Sequence, residues 1–232
     1  MRLNKYISAT GVCSRREADK WIEAGRVTCN GQPAALGTRV ADGDQVCIDG
    51  QPIGVKKNPI YIALNKPVGI TCTTEAGIED NIIDLIGHAE RIFPIGRLDK
   101  DSEGLILLTN NGDIVNEILR SENNHEKEYL VTVDRAITDL SLQMMASGVK
   151  IMGELTKPCR VQRIDRESFR MILTQGLNRQ IRRMCSALGY KARRLQRVRI
   201  MDIHLGSLSP GQWRYLTASE LDGLTPRCAA RP

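Results

Sequence analysis

The chain has 232 residues, of which 33 are basic and 27 acidic, giving a formal net charge of +6, with 41% apolar and 26% charged residues. That composition is ordinary for a globular protein, and the length allows one large domain or a medium domain with a small module. No apolar run approaches the roughly 18–20 residues that a membrane span needs, and no apolar leader follows Met1, so a cytoplasmic chain is expected.

From the N-terminus, Leu3 and Ile7 sit one helical turn apart, and Gly11 closes that segment. Ser14-Arg15-Arg16-Glu17 has the spacing of a capping box, and Ala18, Trp21 and Ile22 form the apolar stripe of a second helix that stops at Gly25. Val27–Cys29 followed by Asn30-Gly31 reads as a strand entering a tight turn, and Val46–Ile48 with Asp49-Gly50 as another. The turn-rich stretch from Gln51 to Pro59 reads as a junction, with a module over 1–55, a linker over 56–59 and a second domain over 60–232.

Beyond it, strands are expected at 60–64, 105–108, 129–133, 158–165, 168–174 and 191–203, and helices at 81–86, 113–121, 138–147 and 178–188. Strands and helices mix without a regular alternation, which predicts an α+β fold with a mostly antiparallel central sheet.

The charge is concentrated. Residues 1–55 are net +1 and 56–175 net −3, whereas 176–199 carry eight basic and no acidic side chains. One 24-residue stretch thus supplies more than the whole excess, which points to a polyanion contact surface. Within it, Ile181, Met184, Cys185 and Leu188 form a helical apolar stripe, and Arg179, Arg182 and Arg183 fall off it near the helix start. Cations there oppose the helix dipole, so an anion or a carboxylate partner is expected. A period-two strand after it places Lys191, Arg193, Arg197 and Arg199 on one face, toward phosphate.

Seven scattered cysteines without a Cys-x-x-Cys pair, and three distant histidines, argue against a disulfide framework or a metal site. Phosphate-loop, dinucleotide and nucleophile-elbow motifs are missing too, so no cofactor and no metal are expected. Chemistry then falls to carboxylate, tyrosine, lysine and arginine. In Gly96-Arg97-Leu98-Asp99-Lys100-Asp101-Ser102-Glu103-Gly104, three carboxylates alternate with two cations before an apolar strand. A carboxylate so flanked stays ionised, and Asp99 is a candidate nucleophile or base.

Two resemblances build on these segments. Arg2–Ile7, Ser14–Ala18 and Gly25–Gly31 resemble the small helical RNA-binding module first described in the fourth ribosomal protein of the small subunit, which implies that Arg15, Arg16 and Lys20 meet RNA phosphates. Gly96–Asp99 with Ser102–Gly112 is similar to the catalytic motif of pseudouridine synthases that modify ribosomal RNA. Asn65–Gly69, Lys127–Val131 and Gly176–Met184 match the family's other motifs in order. His125–Tyr129 is most similar to the F-type branch, whose target is the 23S ribosomal RNA.

The resemblance implies a redox-neutral isomerisation: the N-glycosidic bond of a uridine breaks, the uracil rotates, and carbon 5 is joined to the ribose. Asp99 would be the essential aspartate, as nucleophile or in a glycal route. Tyr129 would stack on the extruded base, Arg182 orient Asp99, and Arg179 and Arg183 lie nearer phosphate. Arg97 would hold the flipped nucleotide or fill its gap, and Lys66 would support the site. The implied partner is structured RNA, 23S ribosomal RNA first and a tRNA loop second, bound by a monomer. A non-catalytic RNA-binding protein on the same scaffold is the alternative. The last 33 residues are net neutral, so no RNA contact from a basic tail is expected.

Overall fold

The computed structural model describes residues 1–54, 57–75, 77–119 and 124–224. Lys56 of the expected linker, the end of the helix expected over 113–121 and the tail around Cys228 lie outside the described residues. The chain divides into two compact units, one formed by 1–60 with 88–92 and 110–112, the other by the remainder.

The first unit holds α1 (Leu3–Ala9), α2 (Arg15–Glu23), β1 (Val27–Cys29), β2 (Gln32–Pro33), β3 (Val46–Ile48) and β4 (Gln51–Pro52). The strands form an antiparallel sheet in the order β2-β1-β3-β4. Ser14 caps α2 by accepting the Glu17 N–H at 3.1 Å, as the capping-box spacing requires. Leu3, Ile7, Ala18 and Ile22 from the helices bury against Val27, Val46 and Ile48, leaving Arg15, Arg16 and Lys20 exposed. Gln51-Pro52, expected in the junction, instead pair with β3, because Asp49-Gly50 reverses the chain into a hairpin.

The second unit contains β5 (Tyr61–Lys66), α3 (Ile82–Ile86), β6 (Phe93–Ile95), β7 (Glu103–Thr109), α4 (Asp113–Leu119), β8 (Lys127–Val133) and α5 (Asp139–Ser147). After these come β9 (Lys150–Ile151), β10 (Glu154–Leu155), β11 (Arg160–Arg163), β12 (Ser168–Leu173), α6 (Gln180–Ala187), β13 (Ala192–Ile200), β14 (Ile203–His204), β15 (Trp213–Tyr215) and α7 (Ala218–Leu224). The main sheet runs β11-β12-β8-β13-β7-β5-β15, with β14 on β13 and β6 on β7. Of its strand pairs among the described residues only β13–β7 is parallel, so the sheet is mostly antiparallel and the fold α+β.

Two apolar cores flank this sheet. One packs Val131, Phe169 and Met171 against Leu142 and Met145 of α5 and Ile181, Met184 and Cys185 of α6. The other packs Leu105, Leu107 and Ile200 against Ile114 and Ile118 of α4 and Leu224 of α7. Leu105–Leu108 are at most 1% exposed, each worth about 1.5–3 kcal/mol of burial. β13 lies between the cores, joining β8 to β7.

That position explains a glycine of the sequence motif. Gly104 has φ +102°, and a Cβ there would lie 2.2 Å from the Arg197 carbonyl oxygen, so the parallel β7–β13 contact admits only glycine. The contact brings the strand that follows Asp99 beside the one that carries Arg197.

Candidate active site

Asp99 sits on the loop between β6 and β7, and that loop is tied down from several sides. The Asp99 carbonyl accepts the Ser102 N–H at 3.0 Å, the Lys100 carbonyl accepts the Gly69 N–H at 2.8 Å, and Leu98 donates its N–H to the Cys72 Sγ at 3.4 Å. Behind this, Lys66 is fully buried and donates Nζ to the carbonyls of Pro67 and Ile70 at 2.8 and 2.9 Å. Burial lowers its pKa, while Cys72, Asp101, Asp99 and Glu103 favour its charged form. Lys66 thus shapes the turn whose Gly69 grips the Asp99 loop.

The arginine motif meets the same loop from α6. Arg179 is the helix N-cap, in the left-handed region at φ 51°. Its guanidinium lies 3.3 Å from Asp99 Oδ2 and makes a two-pronged contact to Asp101 at 3.1 and 3.0 Å. The Arg179 hydrogen bond, with the charges of Arg182 and Arg179, holds the Asp101 carboxyl below the usual carboxylate range against its partial burial. The carboxylate partner expected for these helix-start cations is therefore Asp101 together with Asp99.

The expected pairing of Arg182 with Asp99 is corrected by the geometry. The Arg182 guanidinium is used by main chain, donating to the carbonyls of Ala192 at 2.9 Å and Asp101 at 2.7 Å and to Ser102 Oγ at 3.2 Å, with Nε 3.4 Å from the Asp101 carboxylate. Arg179, left-handed at the helix start, is the residue that reaches Asp99. Arg183 bends back to the carbonyl and side chain of Asn178 and stays exposed.

Two further assignments change. β13 does not alternate evenly, because register shifts fall between Ala192 and Arg194 and between Arg197 and Arg199. Arg197 is only 4% exposed and donates Nε to the Leu105 carbonyl at 2.7 Å. Arg199 is paired with Glu128 at 2.8 Å and Glu126 at 3.0 Å. Neither faces outward toward phosphate, whereas Lys191 and Arg193 are exposed as expected.

A cavity of about 640 Å³ opens where the two cores part. Asp99, Arg97, Arg179 and Tyr129 line it, with apolar walls from Ile118 on one side and Leu173, Ile181 and Leu195 on the other. Asp99 and Tyr129, thirty positions apart in the chain, thus share one cavity. Arg97 is exposed and also lines a second hollow of about 460 Å³ on the other flank of the Asp99 loop.

Lys127, which opens the Lys127–Val131 motif but carries no role of its own in the sequence reading, lines the main cavity too. Strand alternation carried the signal, since Lys127 and Tyr129 are two apart on β8 and share a face. Burial, then the charge of Arg197, lowers the Lys127 pKa.

The chain is similar to known proteins along nearly its whole length. Residues 60–187 match the RNA pseudouridylate synthase family and residues 1–53 match the S4 domain. The chain is 56% identical to the dual-specificity RNA pseudouridine synthase RluF of Escherichia coli O6:H1, over 95% of this chain and 77% of that protein. It is 34% identical to the ribosomal small subunit pseudouridine synthase A of Yersinia pestis, over 95% and 97% of the two chains. A crystal structure of a pseudouridylate synthase superposes with a TM-score of 0.70 at 30% identity, covering 97% of this chain and 99% of that one. With the family match spanning more than half of its length, and an Asp99 loop, arginine motif and Tyr129 gathered on one cavity, the chain belongs to the RNA pseudouridine synthase family.

Proposed function

We propose that this chain isomerises specific uridines to pseudouridine in structured RNA, with 23S ribosomal RNA as first substrate. The observation that carries the reading is the shared cavity of Asp99 and Tyr129, with Arg179 on the Asp99 carboxylate. Its volume is that of a small-molecule site, and its walls mix apolar side chains with converging polar and charged groups. A uridine within a duplex cannot present its sugar–base bond there, so the nucleotide leaves the stack at a cost of a few kcal/mol.

Asp99 then acts at the sugar. The C1′–N1 bond breaks, the uracil turns over the Tyr129 ring, C5 bonds to C1′, the C5 proton leaves, and N1 ends protonated. Atoms and electrons balance without an oxidant. In this reading Arg179 aims Asp99 through their 3.3 Å contact, and Arg182 positions the loop through its main chain. Phosphates are met by Arg97 at the cavity mouth, by Arg183 on α6, by Lys191 and Arg193, and by Arg15, Arg16 and Lys20 on α2. These contacts offset the unstacking and make binding salt-dependent.

The proposed organisation is a grasping module over 1–55, a linker over 56–59 and a catalytic domain over 60–232, working as a monomer in the cytoplasm. A tRNA loop is a second substrate in this reading, favoured by the similarity to relatives named as dual-specificity synthases. The test is Asp99→Asn on RNA transcripts tritiated at uridine C5. The variant should fold, bind RNA and release no tritium, and full release would remove Asp99 from its role. Running 23S and tRNA transcripts separately assigns the substrate.

A further inference from the structure

The main cavity carries more positive charge than its one carboxylate balances. Arg97, Lys127, Arg179 and Arg197 line it against Asp99 alone. Arg97 and Arg179 are exposed, at the mouth, and Arg179 is spent on Asp99 and Asp101. Lys127 and Arg197 are different. Among the described residues neither lies within ion-pair distance of a carboxylate, and the buried Arg197 Nη2 has no hydrogen-bond partner. Arg197 and Tyr129 are direct partners in the β13–β8 pairing, and Lys127 shares the Tyr129 face. A buried arginine with an unmet donor, beside a half-buried lysine, is costly unless an electron-rich group completes the pair.

Resting on the isomerase reading above, we infer that Lys127, backed by Arg197, is a further catalytic residue that receives the negative charge of the departing uracil. Whichever route Asp99 takes, the electron pair of the C1′–N1 bond leaves with the base, and the charge spreads over N1, O2 and O4. The walls beside these cations are Leu173, Ile181 and Leu195, which suit a flat base with two carbonyls better than a hydrated phosphate. The developing anion meets the half-buried Lys127 beside the buried Arg197, where solvent screens it less than in bulk water, and fixed charge there favours the transition state over the neutral substrate. Arg197 lends its field from behind, held by the Leu105 carbonyl. The lowered Lys127 pKa fits a cation lacking its partner until the base arrives. Lys127 transfers no proton in this step: C5 loses its proton later, after the new bond to C1′ forms.

The test compares Lys127→Met, Lys127→Gln and Lys127→Arg with the parent protein on a 23S transcript tritiated at uridine C5, measuring single-turnover release, RNA affinity and thermal unfolding. Lys127→Met should keep its melting temperature and its RNA affinity while release slows by about 100-fold or more, and Lys127→Arg should recover most of that loss because charge suffices. If the methionine variant unfolds, the glutamine variant carries the same comparison. Unchanged release in the neutral variants overturns the inference. So does a loss of affinity matching the loss of rate, which marks a phosphate contact. An arginine variant as slow as methionine also overturns it, since a proton-transferring lysine would behave so. Asp99→Asn on the same transcript separates the two levels: release by that variant removes the underlying reading, whereas an inert Asp99→Asn beside a fully active Lys127→Met removes this inference alone.

Discussion

The basic side chains of α2 and those of residues 179–199 look alike in the sequence and are used differently. Arg15, Arg16 and Lys20 stand exposed on α2, with no hydrogen bond or ion pair from their side chains among the described residues. Of the eight cations in 176–199, six are engaged. Arg179 and Arg182 hold the Asp99 loop, Arg183 holds Asn178, Arg194 pairs with Glu103, Arg197 bonds the Leu105 carbonyl, and Arg199 pairs with Glu126 and Glu128. Only Lys191 and Arg193 among them are exposed without such a side-chain partner. A charge run therefore says where cations are, not what they face. On α2 they lie off the buried stripe of a surface helix, whereas on and beside a central strand most of them are drawn into the sheet or the site.

The largest expected effect breaks a pair whose arginine the strand alternation had aimed at phosphate. The Arg199 and Glu128 side chains are 13% and 12% exposed, and Arg199 also donates to the Met201 carbonyl at 2.7 Å. Removing Arg199 leaves the buried Glu128 with only the exposed Arg170 at 3.4 Å, so Arg199→Met should lose about 3 kcal/mol in urea denaturation. The salt dependence of its RNA binding should be unchanged. A stable variant with a shallower salt slope would return Arg199 to the phosphate-facing set.

Next in size is the division between Arg179 and Arg182. Arg179→Met leaves Asp99 without its cation and should slow single-turnover tritium release by about 100-fold, equivalent to about 2.7 kcal/mol, with little change in stability because the side chain is 40% exposed. Arg182→Met also removes the donors to the Ala192 and Asp101 carbonyls, so it should lose about 1–3 kcal/mol of stability together with turnover. Equal stability losses in the two variants would mean that the loop does not distinguish them.

What is legible in the sequence follows the range of the interactions. Ser14 and Glu17 announce α2 because a capping box is local. The apolar stripe Ile181, Met184 and Cys185 announces α6 for the same reason. β6 escapes notice because it is three residues long and contains Pro94, and β15 and α7 because the stretch after 203 offers little periodicity. The roles of Arg197 and Arg199 depend on register shifts against β8, which no alternation along β13 reveals. The choice between Arg179 and Arg182 depends on one left-handed residue at a helix start. Motif order places Asp99 and Tyr129 in one site; only the fold adds Lys127 and Arg197 to it.

The smallest effect on folding belongs to α2, and it is the sharpest check on the comparison. Substituting Arg15, Arg16 and Lys20 together by glutamine removes three exposed charges and no visible contact, so stability should move by no more than about 0.5 kcal/mol. If all three meet phosphate, each contributes about 0.7–0.9 to the slope of log affinity against log salt, and the slope should flatten by about 2 to 3. Single-turnover release at saturating enzyme should stay within about threefold of the parent, because phosphate contacts supply binding shared by ground and transition states. A flattened slope with unchanged saturated rate would mark α2 as grip alone. An unchanged slope would mean that exposure without a partner does not identify the phosphate-facing cations in this chain, and the same doubt would pass to Lys191 and Arg193.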